Sequence, residues 1–350
     1  MSDEKWQIPL ALPNRSKMKG KELTVIAGDV GGTKTNLALY KLINDNLEMQ
    51  MEKSYHSAKY PSFIEIIKLF ISENNLPLPD RICAGVAGPI TKGVAEITNL
   101  SWELDVKDIQ KETGVEKIHL LNDLEATAFG LAGLKENDFI SLCDGDPEVK
   151  GNIGIIAPGT GLGEAGLYWD GNFYHPFPTE GGHCDFCPRT NLDIDLFHWL
   201  EKKYGIVSWE KVVAGPGIHD IYLFLRSIRN IEEPSWLTET LKNDDPSAVI
   251  SHAAVNNKDA VCVETMEHFV RYLARETSNL VLKMKATGGI FLAGGIPPKI
   301  APLLQHENYY NNYLNCDRMQ NLLKQVPIKI ITNDKTALIG AAWYGAFGDM

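Results

Sequence analysis

Two short glycine-rich stretches carry residue types that handle phosphate: Gly28-Asp29-Val30-Gly31-Gly32-Thr33-Lys34-Thr35 and Pro158-Gly159-Thr160-Gly161-Leu162-Gly163. Glycines in a β-turn let backbone N–H groups approach phosphate oxygens, and a carboxylate such as Asp29 can hold Mg2+ through water. The first stretch is not a P-loop. That motif needs glycine directly before its lysine and a helix after it, whereas Thr33 precedes Lys34 and Leu37 to Tyr40 reads as strand. The second stretch runs into Gly161-Leu162-Gly163-Glu164-Ala165-Gly166, which satisfies G-x-G-x-x-G, with Asp185 near the expected acidic position. A dinucleotide fold would open a helix there, but Leu167-Tyr168-Trp169 continues as strand. For either stretch alone, a plain hairpin turn is the simpler reading. Two such hairpins in separate halves of a chain can approach one polyphosphate from opposite sides. That arrangement suits phosphoryl transfer, where positioning and charge stabilisation do most of the work.

These stretches, in this order and at this separation, resemble the actin, hexokinase and heat-shock chaperone ATPase superfamily, and within it the bacterial hexokinase-type glucokinases. The match runs from Leu23 to Phe347, with Leu292-Ala293-Gly294-Gly295-Ile296 similar to the family's adenosine motif. The resemblance implies an α/β chain with a two-lobed actin-like ATPase (ribonuclease H-like) fold and a ligand cleft between lobes. Its nucleotide residues would be Gly28, Asp29, Val30, Gly31, Gly32, Thr33, Lys34, Thr160, Gly161, Gly294 and Gly295, with ATP as donor and Mg2+ held by Asp29 through water. It also implies a sugar pocket of Asn99, Asn122, Asp123, Glu180, His183 and Glu210. These types make chemical sense, because hexose hydroxyls both donate and accept. Asp123 stands two residues past the strand-like run Ile118 to Leu121, where α/β proteins collect ligand-binding groups, and is the expected general base. The implied activity is transfer from ATP to the 6-hydroxyl of D-glucose by a cytoplasmic homodimer, with a kinase for another hexose as the alternative.

Each of these residues also has a bland reading. Asn122 with Glu125 fits a helix capping box, and Asp123 could simply favour the positive helix N-terminus. Glu180 and His183 flank two glycines and could be loop residues, and Glu210 lies in a stretch with few anchors. His183-Cys184-x-x-Cys187 places CxxC beside a histidine. Two thiols and one imidazole leave a four-coordinate zinc site one ligand short, so no zinc is expected and buried or incidental thiols are the default.

The elements that must hold these groups are legible in outline. Leu23 to Ala27, Arg81 to Ala87, Ile118 to Leu121, Gly154 to Ala157 and Gly289 to Ala293 read as buried strands. Phe63, Ile66, Ile67 and Phe70 share one face of a helix over 62–72. Val263, Met266, Val270, Leu273, Thr277, Leu280 and Met284 mark a long amphipathic helix. The polar region 229–257 carries few periodic signals. Strands alternating with helices predict an α/β protein.

A chain of 350 residues exceeds what one core usually supports. The expected division is a flexible leader 1–21, a small lobe 22–133 plus 332–350, and a large lobe 134–331. A net charge of −11 argues against nucleic acid or an anionic membrane as partner, and no apolar run is long enough for a membrane span. It also argues, with the short leader, against the alternative class, a sugar-responsive regulator on the same fold, which would want a basic helix-turn-helix extension. Six scattered cysteines suit reduced thiols in a cytosol.

Overall fold

A computed structural model describes residues 8–97, 100–146 and 148–349. The chain divides into two compact units: residues 1–137, 170–178 and 333–350 form the first, and residues 138–169 and 179–332 the second.

In the first unit, strands β1 (Leu23–Val30), β2 (Lys34–Ile43) and β3 (Asn46–His56) form an antiparallel meander. After helix α1 (Phe63–Glu73), strand β4 (Arg81–Val86) pairs parallel with β1. A small antiparallel sheet of β5 (Ile90–Thr91), β6 (Val94–Glu96) and β7 (Glu103–Asp105) follows. Helix α2 (Val106–Thr113) then leads to β8 (Lys117–Asn122), parallel to β4. The main sheet therefore has the order β3-β2-β1-β4-β8. Every residue of β4 is buried, as expected of a central strand covered on both faces. Helix α1 starts where Ser62 accepts the Glu65 N–H and lays Phe63, Ile66, Ile67 and Phe70 into the core, the face its sequence predicts. Helix α3 (Asp123–Gly130) and the C-terminal helix Thr336–Phe347 complete this unit.

The sequence reads residues 1–21 as a flexible leader; residues 8–21 are instead part of the first unit. Tyr174 N–H donates to Pro9 at 2.8 Å and Ala11 N–H to Tyr174 at 2.9 Å, while Ile8, Leu10, Leu12 and Met18 are buried. The physical reason is that apolar side chains at alternate positions 8, 10 and 12 suit an extended segment with one covered face. The same pairing explains why residues 170–178 group with the first unit. Residues 1–7 lie outside the described residues.

The second unit uses strands β9 (Phe139–Cys143), β10 (Ile153–Pro158), β11 (Leu162–Trp169), β13 (Gly289–Leu292) and β14 (Ile328–Ile331), whereas β12 (Tyr174–Thr179) falls, but for Thr179, within the first unit's residues. Neighbours run β11-β10-β13-β14-β9. An antiparallel β10–β11 hairpin is again followed by parallel β13 and β14, so the first unit's arrangement of hairpin plus crossover strands recurs. The helices are α4 (Asn191–Tyr204), α5 (Gly215–Arg229), α6 (Ser235–Asn243), α7 (Pro246–Val255) and α8 (Ala260–Met284), with shorter ones before β14. Helix α8 carries the long amphipathic stripe as predicted. Helices α6 and α7 fall in the stretch where periodicity gave little. The start of α7 was nevertheless marked: Asp245 caps the Ala248 N–H at 2.9 Å with Pro246 in the first turn.

Candidate active site

The first glycine stretch forms the tight turn between β1 and β2, where Val30 faces Thr35 across the ladder. It is braced from behind by Ser57. The Ser57 N–H donates to the Thr33 carbonyl at 3.0 Å, its hydroxyl to the Gly31 carbonyl at 2.8 Å, and the buried Thr35 hydroxyl lies 3.0 Å from the Ser57 hydroxyl. The Lys34 carbonyl takes the Gly31 N–H at 3.0 Å. Carbonyls at this turn are thus engaged, while Thr33 and Lys34 remain exposed.

Asp29, opposite Asn36 in the ladder, accepts its amide at 3.3 Å. Burial pushes the Asp29 carboxyl above its usual range, outweighing the Asn36 hydrogen bond and the Lys34 charge, while Asp334 adds to the rise. A desolvated carboxylate with one long hydrogen bond and a second carboxylate nearby suits a hydrated divalent cation, whose charge would favour the ionised form.

Strand β8 ends at Asn122, whose Oδ1 accepts the Leu124 N–H at 2.9 Å and the Glu125 N–H at 3.4 Å. Its amide donates to the Gly88 carbonyl at 3.3 Å. The capping arrangement read as the bland alternative is therefore present. It holds Asp123 as the first residue of α3, where Asp123 Oδ1 accepts the Leu124 N–H at 2.9 Å. Asn99, the remaining sugar candidate before Asn122, lies outside the described residues, as does Thr98.

In the second unit the other glycine turn joins β10 to β11, with Gly159 N–H donating to Gly161 O at 2.8 Å and Gly215 N–H, at the start of α5, donating to Gly159 O at 2.9 Å. Thr160 is exposed at its tip. Gly294 and Gly295 follow β13 and lie against the same turn, since Ala293 N–H donates to Ile156 O at 2.9 Å and Ile296 N–H to Pro158 O at 3.4 Å. Gly294 has φ of 79°, and a Cβ there would stand 2.6 Å from the Pro158 carbonyl oxygen, so both conformation and contact require glycine. Thr160, Gly161, Gly294 and Gly295 are thus gathered around one strand end.

Glu180 and His183 sit on the short 3-10 turn Gly181–His183, with side chains 71% and 62% exposed and 3.9 Å apart. Glu210 is closer to the glycine turn than the sugar assignment alone suggests: its Oε2 accepts the Leu162 N–H at 3.3 Å and its Oε1 takes Lys211 at 3.1 Å. Cys184 and Cys187 are both exposed, not buried, and no cluster of potential metal ligands occurs among the described residues.

Sequence reasoning missed two groups. One is Gly215, which supports the Gly159 turn from α5. The other is Glu164, the acidic residue inside the G-x-G-x-x-G string. It is 1% exposed, and neither carboxyl oxygen meets a hydrogen-bond donor. A charged residue sharing the buried strand face of Leu162 and Gly166 was the signal that could have found it.

Two sheets built on one plan, each with a glycine turn on its antiparallel hairpin, define an actin-like ATPase fold of the ribonuclease H type. The glucokinase family model matches residues 26–346. A glucokinase from Nostoc punctiforme is 40% identical over 334 residues, covering 91% of this chain and 97% of that protein. The crystal structure of a glucokinase from an Antarctic psychrotroph superposes with a TM-score of 0.79 at 28% identity, covering 92% of this chain and 98% of that one. That of a Balamuthia mandrillaris glucokinase in complex with glucose has the same fold, with a TM-score of 0.77 at 20% identity, covering 96% and 99%. The chain belongs to the glucokinase family, and with it to the kinases.

Proposed function

We propose that this chain transfers the γ-phosphoryl group of ATP to the 6-hydroxyl of D-glucose. The observation that carries the reading is the presence of both glycine turns on equivalent hairpins in a chain 40% identical to a glucokinase over 91% of its length.

On this reading Gly28, Asp29, Val30, Gly31, Gly32, Thr33 and Lys34, with Thr160 and Gly161, bind the polyphosphate; Gly294 and Gly295 receive the adenosine. Glycine backbone approaches phosphate without Cβ interference, and Lys34 adds a positive charge. Asp29 would hold Mg2+ through water, and the bound ion would supply charge neutralisation to the polyphosphate. Asn99, Asn122, Glu180, His183 and Glu210 bind the sugar hydroxyls. The Asp123 carboxylate accepts the proton of the attacking hydroxyl. Oxygen bonds to the γ-phosphorus, the bond from phosphorus to the ADP oxygen breaks, and the proton rests on Asp123. In a loose phosphoryl-transfer transition state the proton leaves late, so this carboxylate needs to be ionised and aimed, not strongly basic.

No described helix is long and apolar enough to cross a membrane. The same reading has the enzyme working in the cytoplasm as a homodimer, which light scattering on the purified chain tests. A coupled assay across a panel of hexoses and phosphoryl donors tests the activity. Glucose with ATP is expected to give the highest kcat/KM, and absence of turnover with every hexose would overturn the reading.

A further inference from the structure

Glu164 of β11 and Glu276 of α8 are both fully buried and lie close enough to hydrogen-bond, with Lys283 as the cation beside them. Every available donor goes to Glu276: Lys283 Nζ reaches its Oε1 at 2.9 Å and Asn279 Nδ2 its Oε2 at 2.8 Å. Glu164 has none. A carboxylate is acceptor-only, so two ionised groups here would repel across a dry contact, and one charge would be buried without a partner. A proton on Glu164 resolves both problems by donating to Glu276.

The pair lies behind the proposed sugar turn. The Thr179 hydroxyl donates to the Glu164 carbonyl at 2.9 Å and receives the Gly181 N–H at 3.2 Å. A Cβ on Gly181 would stand 2.0 Å from Glu164 Oε2, so the turn rests on this carboxyl with no atom between.

We propose that Glu164 is a positioning residue for sugar binding: sharing one proton with Glu276, it offers a neutral, compact surface on which Gly181 seats, holding Glu180 and His183 in place. Ionisation demands water where there is no room for it, and the glycine turn is the wall that yields.

The titratable and charged groups facing Glu164 are Glu276 and Lys283 of α8; the turn adds Cys184, which acts on Lys283, and the exposed Glu180 and His183, while β10 presents only Ile156 across the ladder. Burial first, then Glu276, push the Glu164 carboxyl up to about 8, against the opposing pull of Lys283. The seated form therefore predominates at neutral pH and is lost above pH 8. As the seated fraction falls, the apparent affinity for a ligand of the seated turn falls in proportion.

This inference rests on the sugar role given to Glu180 and His183, and the test separates the two. Glucose KM and calorimetric affinity are measured from pH 6.5 to 9.5 for the parent, Glu164→Gln and Glu276→Gln. The parent KM is expected to rise about tenfold by pH 9 with a smaller change in kcat. Glu164→Gln, neutral at every pH, should stay flat. Glu276→Gln removes the like charge, so its rise should begin at lower pH, an arm that remains readable if Glu164→Gln folds poorly. Identical profiles in all three overturn the proposal. Hydrogen exchange at the His183 and Cys184 amides, bonded to Glu180 and Gly181 carbonyls at 3.0 Å, reads the turn without any sugar. Protection lost above pH 8 in the parent but kept in Glu164→Gln supports the proposal; equal protection in parent and Glu164→Gln overturns it. If the parent binds no glucose, the functional reading fails and exchange alone decides the inference.

Discussion

The Glu210 carboxylate accepts the backbone N–H of Leu162 at 3.3 Å, tying a short helical turn to the second glycine loop. The same Oε2 would stand 2.7 Å from a Cβ on Gly161. Gly161→Ala should therefore push Glu210 aside and disturb the loop. The nucleotide KM is expected to rise at least tenfold while melting temperature changes little, because the displaced atom ends a flexible side chain. Separate titrations of glucose and Mg·ATP check this. A variant with the parent's nucleotide and sugar affinities would remove Gly161 and Glu210 from the site.

Asp123 and its neighbour Asn122 both accept the Leu124 N–H, so a capping role is present at this junction whatever the chemistry. Asp123→Asn separates cap from base. Asparagine caps as well as aspartate, but it accepts no proton, so turnover at saturating glucose and Mg·ATP should fall by roughly 10²–10⁴ with an unchanged melting curve. Activity within a few-fold of the parent would return Asp123 to a purely structural role.

Glu180 and His183 expose most of their side chains, so their loss should leave stability nearly intact. Glu180→Gln and His183→Ala are each expected to raise the glucose KM about tenfold or more, in line with about 1–3 kcal/mol for a hydrogen-bonding group left unpaired in the complex. Steady-state kinetics with the two variants decides it. Unchanged sugar dependence in both would place the sugar pocket elsewhere.

Asp193, wholly buried at the start of α4, is held by Arg271 at 2.7 Å, Arg275 at 2.9 Å and the Tyr272 hydroxyl at 3.0 Å. Arg275 also donates to the Cys187 carbonyl, linking this ion cluster to the chain just after the sugar turn. Burial alone would push the Asp193 carboxyl up. The Arg189 N–H, the Arg271 charge, the Thr190 hydrogen bond and the Arg275 charge together leave it below the usual range. A depressed carboxyl stabilises the fold above its unfolded pKa of about 4 and loses that contribution as pH falls through the folded value. Asp193→Ala should cost about 3–5 kcal/mol at neutral pH by stranding the arginines. Its stability should also decline less steeply than the parent's below pH 4. Denaturant melts at pH 7 and pH 3 measure both.

Much of the local structure around the candidate site was legible because its signals are short-range. A glycine turn between two apolar runs announces itself within ten residues, and that context alone rejected both the P-loop and the dinucleotide fold. The stripe of α8 and the cap at Ser62 are likewise local patterns, fixed by helical period and by unsatisfied N–H groups at a helix start. Segment 8–21 was misread because extended chain that borrows its partner from Tyr174 shows no strand signature beyond three alternating apolar residues. The surroundings of Glu164 and Glu210 are set only by the tertiary structure. Leu162 meets Glu210 across 48 residues of sequence, and Glu164 meets Glu276 across a longer interval still. Spacing along the chain determines which residue types are available to a turn; which carboxylate ends beneath it, and whether water can follow, is set by packing between β11 and α8, because desolvation belongs to the whole environment of a group and to no segment alone.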